Sequence, residues 1–336
     1  MNDPFKKILI IQTAFLGDVI LATPLIEKLH QFYPDAQLDF LLRKGNESLI
    51  LNHHYLRNIL IFDKKRKSAS LFENIRRIRQ EHYDLVVNVQ RFASSGLITA
   101  LSGARHTIGF SKNPFSFFFS EKIEHLIDKK SGKHEVDRNI DLIKKFTDDK
   151  RLRPKLYAKE EDKEKAKTYK DEKYVCIAPA SIWFTKQFPK EKWIEFINQL
   201  PKDLKIYLLG SPADNSLCQH ILDLSTNKNV QNLSGKLSLL ASGELMKDAV
   251  LNYVNDSAPL HLASQANAPV CAVYCSTIPE FGFGPLSDFS NIVEIKDSLY
   301  CRPCNLHGYH QCPQGHFKCA MDINIAQLNE VLMKVL

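Results

Sequence analysis

A short polar segment follows an apolar stretch near residue 255, and it reads N-D-S-A-P-L-H over residues 255–261. The residues before it predict a buried strand, and those from Ser257 onward predict a helix. A strand that turns directly into a helix leaves free N–H groups at the carboxyl edge of a sheet, where anionic groups of ligands bind. Asp256, Ser257 and His261 are therefore candidates for holding a phosphate-bearing ligand, although a histidine at this place is more often packed than catalytic.

A second junction of this kind lies near the start of the chain, where Gly17 and Asp18 separate an apolar stretch from a predicted helix. Gly17 permits a tight turn, and Asp18 would stand at the positive end of the helix with its carboxylate toward a ligand. Helix capping explains most aspartates in this position, so a cap and a catalytic base both remain open. The segment has neither the G-x-G-x-x-G spacing of a dinucleotide site nor the G-K-S/T of a P-loop.

Thr185 and Lys186 follow another predicted strand and the turn after it. A lysine beyond the carboxyl end of a strand, with a hydroxyl beside it, can hold a diphosphate. An ordinary surface lysine is the alternative interpretation.

Four of the eight cysteines fall in one short segment with the spacing C-x2-C-x7-C-x6-C: Cys301, Cys304, Cys312 and Cys319. Three histidines, His307, His310 and His316, lie in the same segment. Thiolates and imidazoles at this density can form a tetrahedral zinc site. The spacing is not that of two C-x2-C pairs, so a structural zinc site and a cluster of reduced thiols both remain open.

Short apolar stretches alternate with amphipathic ones through most of the chain, as in parallel sheets covered by helices on both faces. Predicted strands in the first half are 7–12, 37–42, 58–62, 84–89 and 107–110, with helices at 18–32, 68–82 and 136–146. Predicted strands in the second half are 174–178, 205–209, 249–255, 269–275 and 291–295, with helices at 190–200, 214–224, 237–247, 257–267 and 325–336.

Residues 147–173 are dominated by charged side chains, as in a solvated linker between domains with a polar helix around residues 160–170. The chain therefore predicts two doubly wound α/β domains, residues 1–155 and 156–324. The C-terminal helix 325–336 is amphipathic, and we expect its apolar stripe to pack back onto the first domain.

The composition is that of a globular protein of 336 residues, with 44% hydrophobic and 25% charged residues and a formal net charge of +7. The positive charge suits nucleic acid, an anionic membrane surface or an acidic substrate. Nucleic acid is disfavoured because the basic residues do not form a block interleaved with aromatics. No apolar stretch has the length of a membrane span or of a signal-peptide core, which predicts a cytosolic protein with reduced cysteines.

Together these motifs resemble glycosyltransferase family 9, the ADP-heptose:lipopolysaccharide heptosyltransferases. The resemblance covers a strand and G-D-x5-P segment (residues 8–25), a P-A-S to K-Q-F-P stretch (179–189), L-L-G-S (208–211) and the N-D-S-A-P-L-H-L-A segment (255–263). The cysteine-rich segment looks like the tail of the heptosyltransferase II branch. This chain has Gln12 where the family often has Arg, Ala14-Phe15 for Ser-Ser, and Ala180 and Ala258 for Gly.

The resemblance implies a GT-B fold, in which two Rossmann-like domains face a central cleft. The N-terminal domain would bind the acceptor and the C-terminal domain the nucleotide sugar. The reaction would be an inverting transfer of heptose from ADP-heptose to the lipopolysaccharide inner core, with Asp18 as general base and no metal or other cofactor required. The residues implied in donor binding are Thr185, Lys186, Asp256, Ser257 and His261.

Five basic residues that flank first-domain strands could meet the anionic sugars of the acceptor: Arg43, Lys44, Arg91, Arg105 and Lys112. The positive charge also suits peripheral contact with the anionic inner membrane, which predicts a cytoplasmic location at the inner face of that membrane in a Gram-negative bacterium. Two alternatives are a family member with another nucleotide sugar or core acceptor, and a metal-organised α/β binding protein without turnover.

Overall fold

The computed structural model describes residues 5–129 and 132–336, and the chain divides into two compact units, Met1–Tyr157 and Ala158–Leu336. Each unit is built on one six-stranded sheet in which every neighbouring pair of strands is parallel. The predicted α/β class with two Rossmann-like domains is confirmed.

The first sheet has the strand order β3-β2-β1-β4-β5-β6. Its elements are β1 (Lys7–Gln12), α1 (Leu16–Phe32), β2 (Gln37–Arg43), β3 (Leu56–Phe62), α2 (Lys67–Glu81), β4 (Leu85–Asn88), α3 (Ala93–Ala100), β5 (His106–Phe110), β6 (Glu121–Ile123) and α4 (Glu135–Asp141).

The central strand explains why the first sheet forms where it does. β1 pairs with β2 on one side and with β4 on the other, and its four residues from Ile8 to Ile11 are fully buried. A strand covered on both faces needs a continuous apolar run rather than alternation, which is the pattern of its sequence. The turn after β1 therefore emerges from the middle of the sheet.

The second sheet has the order β12-β11-β10-β7-β8-β9. Its elements are α5 (Glu160–Lys167), β7 (Tyr174–Ala178), α6 (Lys190–Gln199), β8 (Lys205–Leu208), α7 (Asn215–Leu224), β9 (Val230–Asn232), α8 (Leu239–Lys247), β10 (Leu251–Asn255), α9 (Ala258–Gln265), β11 (Val270–Tyr274), β12 (Ser290–Glu294), α10 (Lys318–Met321) and α11 (Ile325–Leu332).

The C-terminal helix belongs to the second unit, and the prediction that it packs onto the first domain is wrong. α11 lies against α6 and β12, and Leu328 and Val331 are buried in the core of the second unit. The Tyr253 hydroxyl of β10 donates to the Leu328 carbonyl oxygen at 3.1 Å. The apolar stripe is thus buried in the core of the second unit.

The boundary between the two units falls within the predicted linker, residues 147–173, and the predicted polar helix is observed as α5, but the stretch is more ordered than a solvated linker. The Lys155 N–H donates to Thr23 Oγ1 at 3.0 Å, and the Tyr157 hydroxyl donates to Glu27 Oε1 at 2.7 Å, so the first part lies along α1. The second part forms α5, which packs on α8. The charged composition correctly indicated that many side chains are exposed. It did not indicate that the segment is held in place by hydrogen bonds, because hydropathy carries no information on such contacts.

Among the described residues, no helix is both long and apolar enough to cross a membrane.

Candidate active site

Each sheet has one topological switch point, where the order of the strands reverses. The predicted site residues follow the strands at these switch points. In the first sheet the chain order reverses between β1 and β4, and in the second between β7 and β10. Open parallel sheets bind ligands at the carboxyl ends of the strands at such switch points. Asp18 comes after β1, Lys186 after β7, and Asp256 after β10. Each unit therefore carries a candidate site of its own at its switch point.

Asp18 lies in the first turn of α1. Its carboxylate accepts a hydrogen bond from the Phe15 N–H at 3.1 Å, so it does cap the helix as the simplest interpretation predicted. The turn before it is held by Asn46, whose side-chain amide donates to the Ala14 carbonyl oxygen at 3.0 Å. The carboxylate is thus fixed in position by α1 and by the turn.

The proton affinity of Asp18 is unusual for a helix cap. Desolvation of the half-buried carboxyl and, second, the negative charge of Glu135 raise its pKa from 3.8 to about 6. Hydrogen bonds from backbone N–H groups and the positive charge of Arg91 oppose the shift. An aspartate with a pKa near 6 is still ionised at neutral pH and binds a proton far better than an ordinary one, as a general base requires.

Glu135 was missed by the sequence reasoning, because it is distant from Asp18 in the chain. It is the first residue of α4, and α4 packs on α1 through the Asn139 amide, which donates to the Leu21 carbonyl oxygen at 3.1 Å. Asn139 is one turn beyond Glu135 and Leu21 is one turn beyond Asp18, so the first turns of the two helices lie side by side.

Two cationic or potentially cationic groups hold the Glu135 carboxylate in place. The Arg138 Nε donates to Glu135 Oε2 at 2.7 Å, and His125 Nε2 lies 3.0 Å from Glu135 Oε1. These hydrogen bonds lower the pKa of Glu135, although burial opposes them. Glu135 therefore stays charged beside Asp18.

Basic side chains surround the carboxyl edge of the first sheet. Arg43 ends β2 and stacks on the Phe15 ring at 5.6 Å, whereas the Lys44 Nζ pairs with Asp63 at 2.9 Å. Arg91 follows β4 and is close enough to lower the pKa of Asp18. Lys112 follows β5 and is exposed. These four predicted residues all lie at the edge that carries Asp18.

Arg105 does not lie at that edge, which corrects the prediction for this residue. It precedes β5, and its N–H donates to the carbonyl oxygen of Tyr83, which precedes β4. Residues that precede parallel strands lie at the amino edge of the sheet, opposite the ligand side. The prediction relied on Arg105 being next to a strand in the sequence and did not consider at which end of the strand it lies.

Lys64 is a second residue that the sequence reasoning missed. It follows β3 at the carboxyl edge, and its pKa is lowered by desolvation and by the positive charge of Arg43, while Asp18 opposes the shift. Lys64 therefore belongs to the group of cations around Asp18. Its place in a charged run, residues 63–67, gave no signal that distinguished it from its neighbours.

In the second unit the structure brings Lys186 and Asp256 together. The Lys186 Nζ lies 2.6 Å from Asp256 Oδ2, and the Thr277 hydroxyl donates to the same oxygen at 2.6 Å. Both charged side chains are largely buried, with 14% of Lys186 and 7% of Asp256 exposed. The Asp256 carboxylate fixes the position of the Lys186 ammonium group at the switch point. From this position the ammonium group can bind a diphosphate.

Thr185 is buried, and its hydroxyl organises the loop around Lys186. The hydroxyl accepts hydrogen bonds from Ser276 Oγ at 3.0 Å and from the Tyr309 N–H at 2.8 Å. Gly308 fits against it at a φ of +80°, where an added Cβ would lie 2.9 Å from Thr185 Oγ1. Direct contact between Thr185 and a ligand stays a prediction.

The N-terminus of α9 begins directly after Asp256. Ser257 precedes the helix, and its hydroxyl lies 3.5 Å from the Asn255 carbonyl oxygen. Pro259 has no N–H and the Leu260 N–H donates to the Ser257 carbonyl oxygen at 3.0 Å, so the N–H of Ala258 is the candidate anion donor of this helix end. His261 is buried within α9, so packing accounts for its position and its role in donor binding stays a prediction.

The C-terminal cysteines lie near one another. The Cys301 Sγ is 3.9 Å from His316 Nε2, and the pKa of Cys304 is raised by burial and by the neighbouring Cys301 and Cys312. Within residues 5–129 and 132–336, no three His, Cys, Asp or Glu side chains are gathered so that they could hold a metal ion. The structural zinc site, including Cys319, stays a prediction.

Comparisons with known proteins agree with this arrangement. Residues 71–310 match glycosyltransferase family 9 (heptosyltransferase). The chain is 26% identical over 278 residues to lipopolysaccharide heptosyltransferase 3 of Escherichia coli. The aligned region covers 78% of this chain and 82% of that protein.

Solved structures show the same fold. A glycosyltransferase family 9 protein from Veillonella parvula superposes with a TM-score of 0.82 at 20% identity, covering 99% of both chains. The ADP-heptose LPS heptosyltransferase II of E. coli superposes with a TM-score of 0.77 at 20% identity, covering 98% of this chain and 99% of that one. The chain therefore belongs to glycosyltransferase family 9, the heptosyltransferases, and is a glycosyltransferase.

Proposed function

We propose that this enzyme transfers heptose from ADP-heptose to the inner core of lipopolysaccharide with inversion at the anomeric carbon. The observation that carries the proposal is Asp18, a carboxyl with a pKa of about 6 at the switch point of the first sheet in a family 9 chain. Names of relatives such as lipopolysaccharide heptosyltransferase 3 and ADP-heptose LPS heptosyltransferase II support the choice of donor and acceptor.

In this proposal the first unit binds the acceptor and supplies the base. Asp18 takes the proton of the accepting hydroxyl as that oxygen attacks the anomeric carbon from the face opposite ADP. The cations at the same edge, Arg43, Lys44, Lys64, Arg91 and Lys112, bind phosphate or carboxylate groups of the acceptor. Arg105 has no part in this step, because it lies at the other edge of the sheet.

The second unit binds the donor and stabilises the leaving group. Negative charge develops on the diphosphate as the bond to the sugar breaks, and in this proposal Lys186, the Ser257 hydroxyl and the N-terminus of α9 stabilise it; the position of the Lys186–Asp256 pair and of α9 after β10 supports this. Asp256 holds Lys186 and orients the donor. Because these groups provide positive charge and hydrogen-bond donors, we propose that transfer needs no added metal.

The acceptor chemistry suggests where the enzyme works. Inner-core sugars are attached to a lipid, so we propose action in the cytoplasm at the inner face of a Gram-negative inner membrane. The basic first unit suits that anionic surface.

The test is a transfer assay with a panel of nucleotide sugars and a truncated inner-core acceptor. Mass spectrometry should find one added heptose with ADP-heptose and none with UDP or GDP sugars, and NMR coupling constants should show an inverted anomeric centre. The same yield in excess EDTA is expected. Transfer only from another nucleotide sugar would replace the proposed donor, and retention of anomeric configuration would contradict Asp18 as a base in a single displacement.

A further inference from the structure

Three phenylalanine side chains of the first unit are exposed around one segment, and we call them the aromatic tip. Phe92 is 62% exposed, Phe117 is 69% exposed and Phe118 is 61% exposed. Phe117 and Phe118 lie in a turn of 3-10 helix between β5 and β6, with ring centroids 4.1 Å apart. Clustered exposed apolar side chains, unlike scattered ones, mark a surface that meets a partner.

The exposure is a result of packing, because the segment that carries the tip is anchored at both ends. At its start the Asn113 amide donates to the carbonyl oxygens of Gln90 at 3.0 Å and Phe92 at 3.1 Å. At its end Phe119 is buried over Gly109, where an added Cβ would lie 2.6 Å from the ring. With its neighbours fixed, the pair Phe117 and Phe118 is held outward.

Two further contacts tighten the same segment. The Ser116 hydroxyl donates to the Ser111 carbonyl oxygen at 2.9 Å. Asn113 also fills the space beside Gly96 of α3, where an added Cβ would overlap its side chain. The aromatic tip is therefore presented in an ordered form before any partner binds, which reduces the entropy cost of docking.

Charge identifies the kind of partner. Residues 1–157 contain 27 Lys and Arg against 18 Asp and Glu, a formal charge of +9, whereas residues 158–336 contain 18 against 20, a formal charge of −2. The positive charge of the protein thus resides in the unit that carries the aromatic tip. Lys112 and Lys122, which flank the tip in sequence, are exposed.

We propose that the aromatic tip inserts into the surface of an anionic lipid bilayer, with the basic first unit adding electrostatic attraction. Aromatic rings beside lysines suit the interface, since the rings enter the boundary of the acyl chains while the ammonium groups meet lipid phosphates. A protein partner would have to match the shape of the tip, but a bilayer needs only exposed apolar area and positive charge.

The position of the aromatic tip also links membrane docking to the acceptor, an inference that rests on the proposed function. The segment begins at the carboxyl edge of the first sheet, where Ser111 follows β5, and the hydroxyl of Ser116, the residue before Phe117, reaches back to the Ser111 carbonyl oxygen; Asp18 follows β1 at the same edge. Docking through the tip would keep that edge near the membrane from which a lipid-linked acceptor projects. The tip would therefore matter for an acceptor in a bilayer and not for a soluble acceptor.

The first experiment is co-sedimentation of the full chain with vesicles of phosphatidylcholine alone or mixed with phosphatidylglycerol. Wild type should bind the anionic vesicles, and added salt should weaken binding because the attraction is screened. The double variant Phe117→Ser/Phe118→Ser should bind about tenfold or more weakly, since it removes two apolar rings. Leu101→Ser is the control, because Leu101 is exposed in the same unit at the far end of α3. It should bind like wild type.

Several outcomes would overturn the proposal. These are no binding of wild type to anionic vesicles, equal binding by the double variant, or an equal loss in the Leu101 control. Thermal unfolding of the double variant should match wild type, since both rings are exposed. Light scattering without vesicles examines the competing occupant: a wild-type dimer that the double variant dissociates would make the tip a contact between copies of this chain and overturn the membrane assignment.

The second experiment separates this inference from the proposed function. The double variant should transfer heptose to a water-soluble delipidated acceptor at the wild-type rate and to a vesicle-embedded acceptor more slowly. An equal rate on the embedded acceptor would refute the link to the acceptor. If wild type modifies neither acceptor, the proposed function fails, whereas the vesicle-binding result stands on its own.

Discussion

Replacing Asp18 with Asn should strongly slow transfer and at the same time make the protein more stable at neutral pH. The folded protein holds the Asp18 carboxyl at a pKa of about 6, against 3.8 for an unperturbed aspartate, chiefly because the half-buried group is desolvated by the residues packed around it. Asn has nearly the same size, and its side-chain oxygen can still accept the hydrogen bond from the Phe15 N–H. The change therefore removes the charge and the proton acceptor and leaves the cap.

The size of the stability change follows from the shift in pKa. A carboxyl whose pKa is higher in the folded state favours folding fully only below its unfolded pKa, and this contribution is lost as pH rises through the folded pKa. A shift of about two units corresponds to about 3 kcal/mol at 1.36 kcal/mol per unit. Above pH 6 the ionised Asp18 thus costs the folded state about 3 kcal/mol, which the Asn variant does not pay.

Urea denaturation of wild type and variant at several pH values measures this difference. The variant should be more stable by about 3 kcal/mol at pH 8 and by roughly half of that at pH 5, with the difference vanishing only below the unfolded pKa of 3.8. Asp63→Asn is a control of opposite sign, because the hydrogen bond from Lys44 lowers the pKa of Asp63 and its ionised form favours the fold.

Activity measurements complete the test. Transfer by Asp18→Asn should fall by about 10²–10⁴ under saturating substrates, the usual contribution of a positioned base, with ADP affinity unchanged. The wild-type rate should decline below about pH 6 as Asp18 is protonated. A stability difference that does not vary with pH would refute the raised pKa, and turnover within a few-fold of wild type would refute the catalytic role.

Three further predictions concern residues at the candidate sites of the two units. Lys186→Ala should weaken ADP binding in calorimetry by roughly 1.5–3 kcal/mol, the value of a charge-assisted contact, whereas Lys190→Ala in the next helix should not; equal affinities would return Lys186 to a structural role. Glu135→Gln should lower the pKa of Asp18 by removing a neighbouring negative charge, so the acidic limb of the pH–rate profile should move to lower pH; an unmoved limb would show that the two carboxylates are not coupled. Gly308→Ala should reduce the melting temperature more than Gly315→Ala, because both have positive φ but only Gly308 lacks room for a Cβ beside Thr185; equal losses would mean that backbone strain alone matters.

The sequence by itself determined five of the six strands of each sheet and the main chemistry-bearing positions. Continuous apolar runs identified β1, β7 and β10, since buried parallel strands need apolar residues on both faces. The polar residues after those runs, Asp18, Lys186 and Asp256, were identified because a strand that ends in a tight turn brings the next residues to the sheet edge. These are local consequences of backbone geometry, and local sequence contains them.

The sequence was a poor guide where short or polar segments form structure through distant partners. The three-residue strands β6 and β9 have too few residues to show a periodic pattern. Residues 147–157 look solvated by composition, yet they lie along α1 through hydrogen bonds to Thr23 and Glu27. Hydropathy reports average burial of side chains and does not report backbone contacts.

Only the tertiary structure decided which groups surround Asp18 and which do not. Glu135 reaches Asp18 because α4 packs on α1, and Lys64 reaches it because β3 ends at the same edge. Arg105, which looked equivalent in sequence, lies at the opposite edge because it precedes β5. The periodicity of apolar residues indicates which segments are buried, but not which segments pack against each other or at which edge of the sheet their ends lie. The pKa of a carboxyl depends on distances through space to other charges, and only the tertiary structure defines those distances.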